Sequence, residues 1–214
     1  YYPSYVEEEA IHAVDETIPV KAITAYVYEE FLQNLNKDFA KREGLLFVGG
    51  FAHPPNADAV LWFAKEVFPK IREQIKVNFY IVGSKATDEI KALEQPGNGI
   101  IVKGFVSEEE LADLYRNCRI VVVPLRYGAG VKGKVVEAIY NGAPIVTTSV
   151  GSEGIPDVEK VLLVKEQPDE FAETVVELYK DEKRLEDLAE KTQVYIREHF
   201  SIDAAWDVIK EDFE

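Results

Sequence analysis

Positive charge gathers at one place in this chain. Arg126, Lys132 and Lys134 interleave with Gly128, Gly130 and Gly133, and Glu137 follows. Apolar spacing predicts a helix over 131–140, stopped at Asn141-Gly142. A helix N-terminus carries partial positive charge and unpaired N–H groups. Lysine in that turn is misplaced by about 0.3–1 kcal/mol. Gly133 costs about another 1 kcal/mol relative to alanine. A bound anion accounts for these choices together, because N–H groups, dipole and ammonium groups converge on it. The predicted phosphate contacts are Arg126, Gly130, Val131, Lys132 and Lys134, with Gly50 from a second glycine turn. A regular helix turns Lys132 toward the apolar side, so Lys134 is the better placed of the two lysines.

At about 100° per residue, Gly130, Gly133, Lys134, Glu137 and Asn141 share one face. Val131, Val135, Val136, Ala138 and Ile139 share the other, toward a sheet. Glu137 leans back toward the helix start. A carboxylate there can accept hydrogen bonds from ribose hydroxyls beyond a bound diphosphate. Blander readings stay open. Glu137 could pair with Lys134 on the helix surface, and both lysines could be solvated. His53 could pack a turn, Glu153 could cap one, and Lys103-Gly104 could be a plain strand exit.

The elements that must position these residues alternate in type. Short apolar runs at 45–49, 77–82, 99–102, 119–124, 144–148 and 161–164 read as strands. The Val-rich run at 119–124 reads as central. Helical spacing runs from Pro54 through Val60, Phe63, Ala64, Val67 and Phe68. Shorter helices are predicted over 84–93 and after the Ser107–Glu110 capping box. Three more follow over 168–179, 182–199 and 202–213. This pattern predicts an α/β fold: a doubly wound, parallel, Rossmann-like sheet over 44–200. In such sheets ligands sit beyond the carboxyl ends of the strands, where the glycines cluster here. Residues 1–43 fall outside it. A strand end at 1–4, a helix at 6–14 and a strand at 19–25 read as the last β-α-β step of a preceding domain, followed by a polar linker. The alternative is an extension packed on the main sheet.

Composition sets outer limits. The chain has 214 residues, 47% hydrophobic and 29% charged, enough for a sizeable core. Its net charge of -15 argues against duplex nucleic acid or an anionic membrane as partner. The lone cysteine and scattered histidines offer no metal-ligand spacing. No apolar run reaches the length of a membrane span. The chain has no methionine and is read as part of a longer protein.

The run Arg126-Tyr127-Gly128-Ala129-Gly130-Val131-Lys132-Gly133-Lys134-Val135-Val136-Glu137-Ala138 carries a resemblance, with Asn141-Gly142-Ala143-Pro144-Ile145-Val146-Thr147-Thr148 and Gly151-Ser152-Glu153-Gly154. So do Phe47-Val48-Gly49-Gly50, Ile81-Val82-Gly83, and Val102-Lys103-Gly104-Phe105-Val106 with Leu111 and Tyr115 behind. Together, over 44–200, they resemble the C-terminal, donor-binding domain of GT-B fold glycosyltransferases, specifically glycosyltransferase family 4, the group 1 transferases. The resemblance implies transfer of a sugar, with retention, from a nucleotide-diphosphate sugar held between two Rossmann-like domains. It implies no metal cofactor. It implies an N-terminal acceptor domain, of which 1–28 is the last step, and a crossover helix over 201–214. The expected place of action is the cytoplasm, reaching the inner membrane face through other domains.

Residue by residue, Glu137 matches the ribose-binding acid, and Lys103, Gly104, Phe105 and Val106 match the base-binding loop. The sugar falls to His53, Gly128, Ala129 and Glu153. Two departures stand out. Ala129 occupies the position of the family's sugar-contacting acid, which turns that task toward backbone N–H groups of 128–131. Phe51-Ala52-His53 stands where the family places a phosphate-binding Arg and Lys, which shifts that role to Lys132 or Lys134. Both departures also suit a non-catalytic, degenerate binding module. A Rossmann oxidoreductase or epimerase is disfavoured, because no Gly-x-Gly-x-x-Gly follows the first strand.

Overall fold

A computed structural model describes residues 1–213; Glu214, the last residue of the expected crossover segment, lies outside the described residues. The strands are β1 (Leu45–Val48), β2 (Phe79–Val82), β3 (Ile100–Gly104), β4 (Ile120–Val123), β5 (Ile145–Thr147) and β6 (Leu162–Val164). The α-helices are α1 (Tyr5–His12), α2 (Pro54–Trp62), α3 (Phe68–Gln74), α4 (Asp88–Lys91), α5 (Glu108–Asn117) and α6 (Gly133–Tyr140). They continue as α7 (Ser149–Ser152), α8 (Pro168–Lys180), α9 (Glu182–Phe200) and α10 (Ile202–Ile209). The six strands are parallel in the order β3-β2-β1-β4-β5-β6. β4 is buried along its whole length, as its Ile-Val-Val-Val sequence predicts, because helices cover both faces of a parallel sheet. The strand order reverses between β1 and β4. That reversal opens a crevice beyond their carboxyl ends, between the Gly49-Gly50 turn and the loop before α6.

Two predicted helices are cut. The long pattern from Pro54 is interrupted by a π-helical turn at Phe63–Val67, where the Phe68 N–H reaches the Phe63 carbonyl. Pro69 has no N–H to continue the regular ladder. The bulge brings Phe63 and Phe68 onto Phe79, with ring centroids 4.8 and 5.5 Å away. The helix predicted over 84–93 shrinks to α4. Lys85 adopts a left-handed backbone conformation (φ 59°), and Thr87 caps the remainder by accepting from the Ile90 N–H at 3.3 Å. Ser107 caps α5 as predicted, accepting from the Glu110 N–H at 3.1 Å. The Glu110 carboxylate instead takes the Lys103 ammonium at 2.9 Å.

The strand pair expected in residues 1–43 reduces to a parallel bridge between Tyr2 and Ala22, on either side of α1. The segment packs against the chain's other end. Lys21 pairs with Asp212 at 2.8 Å, and the Tyr28 N–H donates to the Phe200 carbonyl at 2.8 Å. The segment then runs along α6. Tyr28 stacks on Tyr140 at 4.3 Å.

Candidate functional site

The crevice is shaped first by backbone. At Gly83 a Cβ would lie 1.9 Å from the Gly49 carbonyl oxygen. Only glycine lets the β2 exit pass that close to the β1 exit. Across the crevice, α6 begins two residues later than predicted. Lys132 is its N-cap, with extended backbone and no capping side-chain bond. Val131 and Lys132 therefore lie outside the helix, and the helical-wheel placement of Gly130, Val131 and Lys132 does not apply. The reason is an ion pair with a distant loop: the Lys132 ammonium meets Glu153 at 3.1 Å and the Gly130 carbonyl. The first N–H groups of α6 are left without a side-chain cap.

Lys134 does not pair with Glu137. Its stem reaches over to the β1 exit, where Cε would lie 3.2 Å from a Cβ on Gly49. The ammonium donates to Asn56 Oδ1 and stands 5.5 Å from the centroid of the Phe47 ring. Asn56 in turn donates to the Gly50 carbonyl at 2.8 Å. Burial, helped by the charge of Lys132, lowers the Lys134 ammonium to about 8. A cation held at this cost has no carboxylate beside it among the described ion pairs, and it sits where two glycine-bearing turns meet.

Glu137 lies one turn further along α6 and is half-buried. Burial raises its pKa, and the Tyr115 hydroxyl of α5 opposes the rise. The core-facing residues Val135, Val136, Ala138 and Ile139 are fully buried, as predicted. Gly133 has a different explanation from the one its position suggested. A Cβ there would lie 2.7 Å from the Tyr26 hydroxyl, so Tyr26 needs that space. Gly133→Ala is expected to change stability by less than about 1 kcal/mol, the gain in helix propensity offsetting the displacement of Tyr26. Thermal unfolding checks this.

The remaining predicted residues are distributed around the rim. Arg126 forks onto Asp58 of α2, with Nε at 2.9 Å, and lies over Trp62. Its guanidinium is thus held by an acid, away from Lys134. His53 is the exposed N-cap of α2. Gly128 and Ala129 are exposed in the loop after β4. Lys103 is tied to Glu110, while Phe105 is 82% exposed and Val106 is half-buried. Asn56, Tyr26, Tyr28 and Tyr115 gained no site role from the sequence. A glycine at a helix start is the one signal that could have pointed to a close neighbour such as Tyr26. Among the described residues, no cluster of three or more His, Cys, Asp or Glu is disposed to hold a metal. No helix among the described residues is long and apolar enough to cross a membrane.

A parallel sheet of this order, with a cation and an acid flanking an uncapped helix, defines a doubly wound, Rossmann-like domain with its candidate site at the sheet's switch point. The chain belongs to the group 1 glycosyltransferases: residues 42–181 match the family model for glycosyl transferases group 1. An uncharacterized 44.6 kDa protein in the cps region of Klebsiella pneumoniae is 28% identical over 183 residues, 82% of this chain and 45% of that protein. S. aureus TarM, solved as a point mutant in complex with fondaparinux, α-GlcNAc-glycerol and UDP, superposes with TM-score 0.77 at 14% identity. It is covered over 43% of its length by 100% of this chain. Anabaena HepE with UDP and glucose gives TM-score 0.71 at 16% identity, over 99% of this chain and 62% of HepE. The C-terminal domain of LpcC from Francisella tularensis, a group 1 family protein, gives 0.60 at 18% identity, over 80% of this chain and 95% of that domain. The chain thus spans less than half the length of the curated relative it matches.

Proposed function

We propose that this domain binds the donor of a glycosyltransferase, a nucleotide-diphosphate sugar. Lys134, Gly50 and the first N–H groups of α6 hold the diphosphate. Glu137 accepts from the ribose hydroxyls. The backbone of 103–106 meets the base. The sugar lies toward His53, Gly128, Ala129 and Glu153. The observation that carries the reading is the position of Lys134. Its ammonium crosses from α6 to the β1 exit and stands beside an uncapped helix N-terminus at the sheet's switch point.

The chemistry follows from that placement. As an acceptor hydroxyl attacks, the bond from the sugar's anomeric carbon to the diphosphate oxygen breaks, and negative charge grows on the leaving group. A positioned ammonium and oriented N–H groups stabilise that charge where it develops. Family likeness supports retention at the anomeric carbon, no resident metal, and action on the cytoplasmic side of a membrane. It also supports an acceptor domain contributed by sequence outside this chain, which residues 1–28 and α10 would join. The neighbours solved with UDP make that nucleotide the first to try. Calorimetric titration of the chain with UDP, GDP, ADP and CDP is expected to show binding of at least one; binding of none sinks the reading.

The depressed Lys134 pKa adds a pH signature. Below about 8 the ammonium carries its charge, and above it the charge is lost. Affinity for the diphosphate is therefore expected to fall about fivefold between pH 8 and 9. A flat alkaline limb would show that Lys134 does not face the ligand. A second reading, a non-catalytic binding module, is favoured by Ala129 standing at the acid position. Nucleotide binding by the complete protein without transfer to any acceptor would select it.

A further inference from the structure

Tyr115 is 1% exposed, and its hydroxyl has no hydrogen-bond partner among the described residues. An unsatisfied buried hydroxyl costs about 1–3 kcal/mol. Phenylalanine would fill the same space without that cost, so core packing alone does not explain a tyrosine. The acid that this hydroxyl acts on is Glu137. Burial raises both groups, and each acts on the other: the phenol opposes the carboxyl's rise, and the carboxylate adds to the phenol's. Yet they stop short of a hydrogen bond of ordinary geometry, so a donor stands spare beside a half-buried acceptor. The backbone beneath is fixed, because the buried guanidinium of Arg42 grips the Tyr115 carbonyl at 2.7 Å. Burial also raises the Tyr28 phenol, to about 12, and the Glu137 carboxylate adds to that rise.

We infer that Tyr115 is the positioning residue for Glu137: its hydroxyl donates to one carboxylate oxygen and aims the other at the ribose hydroxyls of a bound nucleoside diphosphate. The inference rests on the donor-site reading above. It gives the buried hydroxyl its partner in the ligand-bound state and makes ribose recognition depend on α5 as well as α6.

The test compares whichever of UDP, GDP or ADP the chain binds with its 2′,3′-dideoxy form. Calorimetry is run on the 214-residue chain, on Tyr115→Phe, on Glu137→Gln and on the double variant. The native chain is expected to prefer the ribose form by about tenfold or more, the worth of a hydrogen bond to a charged group. Tyr115→Phe should reduce that preference about threefold, leave dideoxy affinity unchanged, and leave Tm equal or higher. Glu137→Gln should erase the preference, and Tyr115→Phe should add nothing in that background. Full preference retained in Tyr115→Phe, equal weakening of both nucleotides, or a Tm lowered by several degrees overturns the inference. Native binding without preference removes the ribose role of Glu137 and this inference with it. Absence of all nucleotide binding instead fails the donor-site reading itself.

Discussion

Lys134→Ala is expected to weaken nucleoside diphosphate binding by about 10- to 100-fold while the domain stays folded. The magnitude is that of losing a hydrogen bond to a charged group. Three features of the site make the loss large. The lysine is partly buried, so its attraction for a diphosphate is screened less than that of a surface lysine. Lys132 is bound to Glu153 and Gly130, and Arg126 to Asp58, so neither stands ready to replace it. The Arg and Lys that the family resemblance leads one to expect after β1 have Phe51-Ala52-His53 in their place. Folding should not suffer, because the substitution removes a charge whose burial already depresses its pKa. Calorimetry with UDP alongside thermal unfolding measures both halves. Affinity within twofold of the native chain would remove Lys134 from the diphosphate site.

Arg42→Leu is expected to cost about 1–3 kcal/mol of stability, the range for leaving buried hydrogen-bond acceptors unpaired. Arg42 is 2% exposed and has no carboxylate partner among the described ion pairs. Its guanidinium instead donates to three carbonyls: Cys118 at 2.8 Å, Tyr115 at 2.7 Å and Asn36 at 3.3 Å. Two of these lie at the C-terminal end of α5, where unpaired carbonyls and the negative end of the helix dipole favour a cation. The Phe39 ring covers the guanidinium at 4.4 Å. Burial lowers its pKa to about 10, still well above neutrality, so it remains charged. Leucine would fill part of the space and leave buried carbonyls unpaired. Denaturant titration should show the midpoint falling with little change in slope. A loss under 1 kcal/mol would mean that solvent reaches those carbonyls freely.

The two substitutions separate what could be read from the chain alone. Short, unbroken apolar runs such as Ile120–Val123 can be satisfied only by burial on both faces. Strands of that kind alternating with amphipathic helices leave little choice but a doubly wound sheet. Ser107 announced the start of α5 because a cap is a local device, its partner three residues away. The glycine-rich turns, the cationic loop and Glu137 were legible as a group for the same reason: each is a backbone or charge requirement visible within a few positions.

Where the side chains of that group go was not legible. Lys134 could have met Glu137 on its own helix, and it crosses to Asn56 instead. Arg126 was free to face the crevice, but Asp58 lies across from it. Gly133 invited an electrostatic explanation, and Tyr26 supplies a steric one. Tyr115 entered only through the family resemblance, and Arg42 only as part of a polar linker. Pattern along a chain is fixed by local sterics and by the requirement to bury apolar surface, and both repeat with the period of the element. The partner of a charged or hydroxyl group is chosen by whichever group folding brings within about 3 Å, and in this protein those partners come from other elements of the fold.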